Sequence, residues 1–273
     1  MISLIKFYNC EESFIKEKIK NVFPNKKWIE SFLSSSHHGF NHANKVRKRS
    51  LDIVQNLNKK EKNKLKKEGK TLSKNNYLKN AVSVIEIASI FHDCGRFNKN
   101  GNITKKNQEK HHTTGTKRAI EFLQKTNNKK ANVFAKDAIM HHDFQSEKLT
   151  PKIGPPKTMI GKVLQASDQI GWFTPDSLKR TIEYNESLNN PFFDQSISFK
   201  ERLNYSPNKK APDTFTAILG QLMGPCNKER FQINYALKRA KYYRKKLKQN
   251  IINLANEKKL GKQAKSMIKE IEK

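Results

Sequence analysis

Three cysteines in 273 residues, Cys10, Cys94 and Cys226, are too few and too scattered for a disulfide framework or a zinc knuckle, which points to a reducing interior. Missing too is any run of about twenty apolar residues, so no membrane span is expected. The opening MISLIKFYNCEE turns acidic before an apolar stretch of signal-peptide length develops, and a soluble, cytoplasmic protein is expected. No G-x-S-x-G and no P-loop occurs, so neither a serine nucleophile nor a Walker-type phosphate cradle is advertised. Strand signals are nearly absent and no internal repeat is evident, which leaves an all-α architecture. Acids are scarce. Lys and Arg number 55 against 25 Asp and Glu, a net charge of +30 that attracts polyanions such as nucleic acid, nucleotides or an anionic membrane surface. AT-rich coding raises Lys, Asn and Ile together and accounts for part of the lysine excess. It does not penalise Asp and Glu, so the shortage of acids falls outside that explanation.

What the chain does contain, in order, is a set of metal-binding residue types: His42, the doublet His92-Asp93, His111, the pair His141-His142, and Asp168. Each belongs to a segment with helical periodicity or to its end. His42 lies in HGFNHANKV, opening a stretch in which Val46, Ile53, Val54 and Leu57 share one face. His92-Asp93 closes the apolar run AVSVIEIASIF, and His111 stands four residues before Gly115 in HHTTG. The His pair ends NVFAKDAIMHH and Asp168 ends KVLQASD. An ionisable doublet straight after so apolar a run is costly to bury unless paired or metal-bound. Rigid helices are what a metal cage needs to hold imidazoles and carboxylates in fixed geometry. Such donors without cysteine suit iron, manganese, nickel, cobalt or zinc, and magnesium less well. Two cations sharing the Asp93 carboxylate would lower the pKa of a bridging water and polarise phosphate oxygens, which is the chemistry of phosphoester hydrolysis. His37, His38 and His112 read as structural or surface histidines. Asp137, four residues before His141, reads equally as an acceptor orienting that ring or as a solvated charge.

This ordered set resembles the HD superfamily of metal-dependent phosphohydrolases over about residues 35–190. The features that carry the likeness are the first His, the doublet in IFHDCGR, the H-x-x-x-G of His111 and Gly115, the His pair, and the closing ASD. The resemblance implies a first metal held by His42, His92, Asp93 and Asp168. A second would share Asp93 with His111 and one or both of His141 and His142. It implies two divalent transition-metal ions (Mn, Fe, Ni or Co, with Mg or Zn as alternatives) in an all-α HD-domain helical bundle over 1–190. Residues 191–273 would form a basic C-terminal helical extension packed on the same body. Arg96 after the doublet and Lys45 after His42 are candidate phosphate contacts beside Asp93. Two branches of the superfamily are disfavoured, because no GYP follows HHD and no Glu-Asp doublet lies between Asp93 and Asp168. The expected activity is a metal-dependent phosphohydrolase or phosphodiesterase that hydrolyses a nucleotide-type phosphoester through a metal-bound hydroxide. The alternatives are a metal-dependent single-strand nuclease and a basic nucleic-acid-binding protein with a relict site.

Element by element, one or two helices are expected before residue 36, with Phe14, Ile19, Val22, Trp28, Ile29 and Phe32 as core. Lys59–Lys79 reads as an exposed helix-and-loop insertion, Lys79–Asp93 as a central buried helix, and 97–110 as a basic loop at the mouth of the site. Helices are expected near 112–126 and 129–143, and the turn cluster QSEKLTPKIGPP leads into the helix that ends at Asp168. Pro175 suits the first turn of the next helix, which breaks at Asn189–Pro191. Further helical segments are expected around 196–203, 213–223 and 228–257. Between Asn227 and Lys273, fifteen Lys and Arg face four Glu, and Tyr242 and Tyr243 are interleaved with cations, a pattern that can serve phosphates and bases together.

Overall fold

A computed structural model describes residues 11–35, 38–125, 129–143, 154–205 and 211–272. Cys10, His37 and most of the QSEKLTPKIGPP cluster lie outside the described residues. Thirteen α-helices and no strand occur among those described, so the protein is all-α; a single bridge joins Phe97 to Ile103. No described helix is long and apolar enough to cross a membrane. The chain divides into two compact units, Met1–Asp168 with Gln232–Tyr235, and Gln169–Phe231 with Ala236–Lys273.

The first unit is built around α5, Tyr77–Phe91, in which every residue from Ala81 to Phe91 is buried. A helix apolar on all sides belongs in the middle of a bundle, and α5 packs against α3 (Phe40–Gln55), α4 (Lys59–Leu72) and α7 (Asn132–His141). The lysine-rich α4 starts in a capping box in which Asn58 and Glu61 satisfy each other's backbone N–H. It still contributes to the core, through Leu65 and Gly69. Gly69 is required there, since a Cβ would fall 1.8 Å from Tyr77 O. α1 (Glu12–Val22) and α2 (Lys27–Ser34) close one side with Ile15, Ile19, Phe23, Trp28, Ile29 and Phe32. Phe14, expected in that core, is 39% exposed, and Phe23 takes an interior place beside Trp28, Phe91 and Phe122.

The expected loop 97–110 is half helix. Thr104 accepts from Asn107 N, a capping signal that starts α6 at Lys105 and carries it to Lys125. α8, Met159–Gly171, is begun by acids distant in sequence. Glu68 accepts from Met159 N and Ile160 N, and Asp137 accepts from Lys157 N, Thr158 N and Thr158 Oγ1. Carboxylates there satisfy N–H groups that a helix start leaves unpaired and oppose its positive dipole end.

The second unit holds α9 (Pro175–Ser187), α10 (Phe199–Leu203), α11 (Thr214–Met223), most of α12 (Asn234–Glu257) and α13 (Gly261–Ile271). Its interior contains an ion pair, Arg202 to Asp213 at 2.5 Å, both with no exposure, and the same guanidinium lies 4.0 Å from the Phe193 ring centre. Asp213 also caps α11 by accepting from Thr216 N. Pro175 opens α9 as its fixed φ predicts. α13 has no counterpart among the helices expected from the sequence; it buries Ala264, Met267 and Ile268.

Candidate metal centre

Five helices converge in the first unit. α3 brings His42, the end of α5 brings His92 and Asp93, α6 brings His111, the end of α7 brings His142, and α8 brings Asp168. Small side chains let these helices approach. Ser50, Ser89 and Ser167, one each on α3, α5 and α8, are buried and joined hydroxyl to hydroxyl at 3.1 and 2.8 Å. On the other side, a Cβ on Gly95 would fall 1.9 Å from His111 O and one on Gly115 would fall 2.7 Å from Phe91 O. The glycine in H-x-x-x-G therefore allows α6 to press against the doublet turn. That turn is held by Arg118, which donates to Cys94 O and Phe97 O while lying 3.9 Å from the Trp28 ring centre.

Three of the imidazoles share one device. His92 Nδ1 meets Ser89 O, His111 Nδ1 meets Gln108 O, and His142 Nδ1 meets Ile139 O, each at 2.7 Å and each three residues back. A carbonyl only accepts, so each Nδ1 carries the hydrogen and each neutral ring presents the Nε2 lone pair inward. These Nε2 atoms face one another and the carboxylates. His111 Nε2 is 3.4 Å from His142 Nε2, and His92 Nε2 is buried with no hydrogen-bond partner. Asp93 lies at the centre. Its Oδ2 is 3.6 Å from His42 Nε2 and 3.8 Å from His92 Nε2, and its Oδ1 is 3.6 Å from His111 Nε2 and 3.9 Å from His142 Nε2. Asp168 Oδ1 lies 3.3 Å from His42 Nε2 and 3.6 Å from His92 Nε2. His42, His92 and Asp168 offer atoms all within 4.8 Å of one another, and so do His92, Asp93 and His142.

The protonation states suit a cation. Burial opposes ionisation of Asp93, but Arg96 and the neighbouring imidazoles outweigh it and hold its pKa well below the usual carboxylate range. Asp168 is likewise well below that range: burial opposes its ionisation, but the facing rings of His42 and His92 outweigh it. Burial pushes His42 and His111 down, and takes His142 down to about 4. His92 differs: burial lowers it, yet the two carboxylates raise it above its ordinary value. Ionised carboxylates and neutral imidazoles are the ligand states a divalent metal needs, and an arriving cation competes with a proton at His92. The donor set fits, and this buried His/Asp group could hold a metal ion in the manner of an HD-type site.

No protein-family model, curated protein or solved structure matches this chain. What can be said of the centre therefore rests on its residues. His141 does not join the cluster: its Nδ1 meets Gly154 O at 2.6 Å and its Nε2 stands 3.9 Å from Asp137 Oδ1. Neighbouring residues on a helix point about 100° apart, so one member of the pair turns in and the other out. Asp137 is chiefly the cap of α8. Lys45 is exposed on α3. Arg96 donates to Asp93 Oδ1 at 2.8 Å and also to Gln108, so it orients the shared carboxylate. His38, read from the sequence as structural, has Nδ1 3.2 Å from Asp93 Oδ2 with its side chain 35% exposed. It stands before the Gly39 cap of α3, outside the helical periodicity that marked the other ligands, so no local signal singles it out. His112 is buried with its ring 4.4 Å from that of His111.

Proposed function

We propose that this chain is a metal-dependent phosphohydrolase of the HD type, acting on a nucleotide-type phosphoester. The observation that carries the reading is the convergence of three Nε2 lone pairs, each fixed by an Nδ1–H spent on a backbone carbonyl, onto two ionised carboxylates. In this reading His42, His92, Asp93 and Asp168 hold one ion, and Asp93, His111 and His142 hold a second. When bound, ions of the manganese, iron, nickel or cobalt type supply Lewis acidity towards a phosphoryl oxygen and a water of lowered pKa. The chain's own residues do the rest. Arg96 fixes Asp93 and adds positive charge beside it, and His38 holds the other carboxylate oxygen from the more open side. Lys45 would meet the substrate's phosphate from the turn after His42. Cys94 is no rival nucleophile, because burial pushes its thiol up to about 12. A phosphate-bearing substrate suits a chain of net charge +30.

The test is elemental analysis of protein loaded with manganese or iron, then a screen against phosphomonoesters, cyclic nucleotides and dinucleotides. Bound metal and hydrolysis should both be lost in Asp93→Ala. Full activity and full metal load in that variant would overturn the reading. A wild-type protein that binds at most one ion would remove the second site.

A further inference from the structure

The longest helix of the second unit, α12, carries a face that neither packing nor the metal centre explains. Its apolar stripe of Ala236, Ala240, Leu247, Ile251 and Ala255 is buried. The exposed side carries Lys238, Lys241, Tyr242, Lys245, Lys246 and Gln249, and no acid occurs between Asn234 and Asn256. At 1.5 Å per residue, Lys238, Lys241 and Lys245 form a row about 10 Å long. In its middle stands Tyr242, 46% exposed, with Lys246 Nζ 4.8 Å from its ring centre. Next to it, Arg239 donates to the Tyr243 hydroxyl at 3.0 Å and lies 5.0 Å from that ring's centre.

We propose that this face of α12 binds single-stranded nucleic acid, with a base stacked on Tyr242 and phosphates on Lys238, Lys241 and Lys245. A flat exposed ring set among cations is the pairing that single strands use, because every base has a π-face and every linkage a charge. A duplex keeps its base faces stacked and offers nothing to the ring. An anionic bilayer fits less well, since insertion needs an apolar face and that of α12 is buried. The proposal stands apart from the metal centre and holds whether or not that centre hydrolyses anything.

The chain contains its own control. α4 is richer in lysine, and Lys60, Lys64 and Lys67 are exposed at nearly the same spacing, but it bears no aromatic residue and carries two glutamates, Glu61 and Glu68. If lysine content alone attracted polyanions, the two helices would behave alike. Binding of fluorescent oligothymidylate and oligouridylate to the full chain is measured across a salt series. The variants are Lys238→Gln/Lys241→Gln/Lys245→Gln, the matching α4 triple Lys60→Gln/Lys64→Gln/Lys67→Gln, Tyr242→Ala and Tyr242→Phe. All these side chains are exposed, and circular dichroism confirms that each variant is folded. The α12 triple should reduce the slope of log affinity against log salt by about 2, because each phosphate that a lysine neutralises on a single strand adds about 0.7 to it. Tyr242→Ala should weaken binding roughly fivefold to a hundredfold and Tyr242→Phe should restore it. The α4 triple should keep the wild-type slope. Equal losses from both triples would overturn the proposal, as would wild-type affinity in the α12 triple or in Tyr242→Ala. So would binding to phosphatidylserine vesicles without binding to either oligonucleotide.

Discussion

Replacing Asp93 by Asn keeps the side chain's size and removes one of the two carboxylates that face the imidazoles. In the structure Asp93 accepts from Arg96 at 2.8 Å and stands within 3.9 Å of Nε2 on His42, His92, His111 and His142, so it is the group both proposed ions would share. Loss of a partner that only touches a metal ligand costs about 10- to 100-fold in affinity, and Asp93 is closer in than that. With metal at a hundred times its dissociation constant, binding stabilises the native state by about 2.7 kcal/mol; a hundredfold weaker site leaves about 0.4 kcal/mol. At about 2–4 °C per kcal/mol, the wild type should gain about 5–11 °C in Tm on adding manganese or iron, and Asp93→Asn about 1–2 °C. Without metal the variant also weakens the ion pair with Arg96 to a hydrogen bond between a charged donor and a neutral acceptor, which shifts the baseline stability. The quantity to compare is therefore the metal-induced shift within each protein, read by scanning calorimetry of chelator-treated and metal-loaded samples. Equal shifts in the two proteins would refute the role given to Asp93.

Three further outcomes are expected. His142→Ala should lose metal and activity while His141→Ala keeps both, and elemental analysis with the phosphoester assay would expose an inverted order. Asp137→Ala removes three bonds at the start of α8 and should cost about 1–3 kcal/mol in urea unfolding, by the usual scale for a lost cap; wild-type stability would deny Asp137 the capping role. Glu86 is buried against Arg47 at 2.9 Å, and burial raises its pKa from 4.5 to about 7, with Arg47 opposing. The native state then holds a proton that the unfolded chain releases. This contribution to stability is fully present below pH 4.5 and is lost as pH rises through about 7, by roughly 3 kcal/mol in total. Comparing wild type with Glu86→Gln across that window should isolate the slope, and parallel curves would count against it.

Much of the centre is legible in the sequence because helical periodicity is a local property. The apolar run ending at His92, the turn from His111 to Gly115 and the Pro175 start each depend on residues within a few positions, and the chain's all-α character follows from many such signals. Thr104 is a local signal too, but without a neighbouring apolar stripe it reads as loop, and α6 begins earlier than expected. Other features depend on partners far along the chain. That His142 and not His141 turns inward follows the stripe of Ala135, Ala138 and Ile139, which stand seven, four and three residues before it, but only the packing of α7 on α5 and α6 decides that this stripe is the buried one. Asp137 caps α8 from about twenty residues away and Glu68 from about ninety. His38 reaches Asp93 across 55 positions. α13 owes its burial to the rest of the second unit. The sequence by itself determined which residue types stand at which helix ends, because backbone preference and side-chain period act over one or two turns. Only the tertiary structure decided which Nε2 lone pairs share a space with Asp93, because that depends on how close the helices pack and how each is turned.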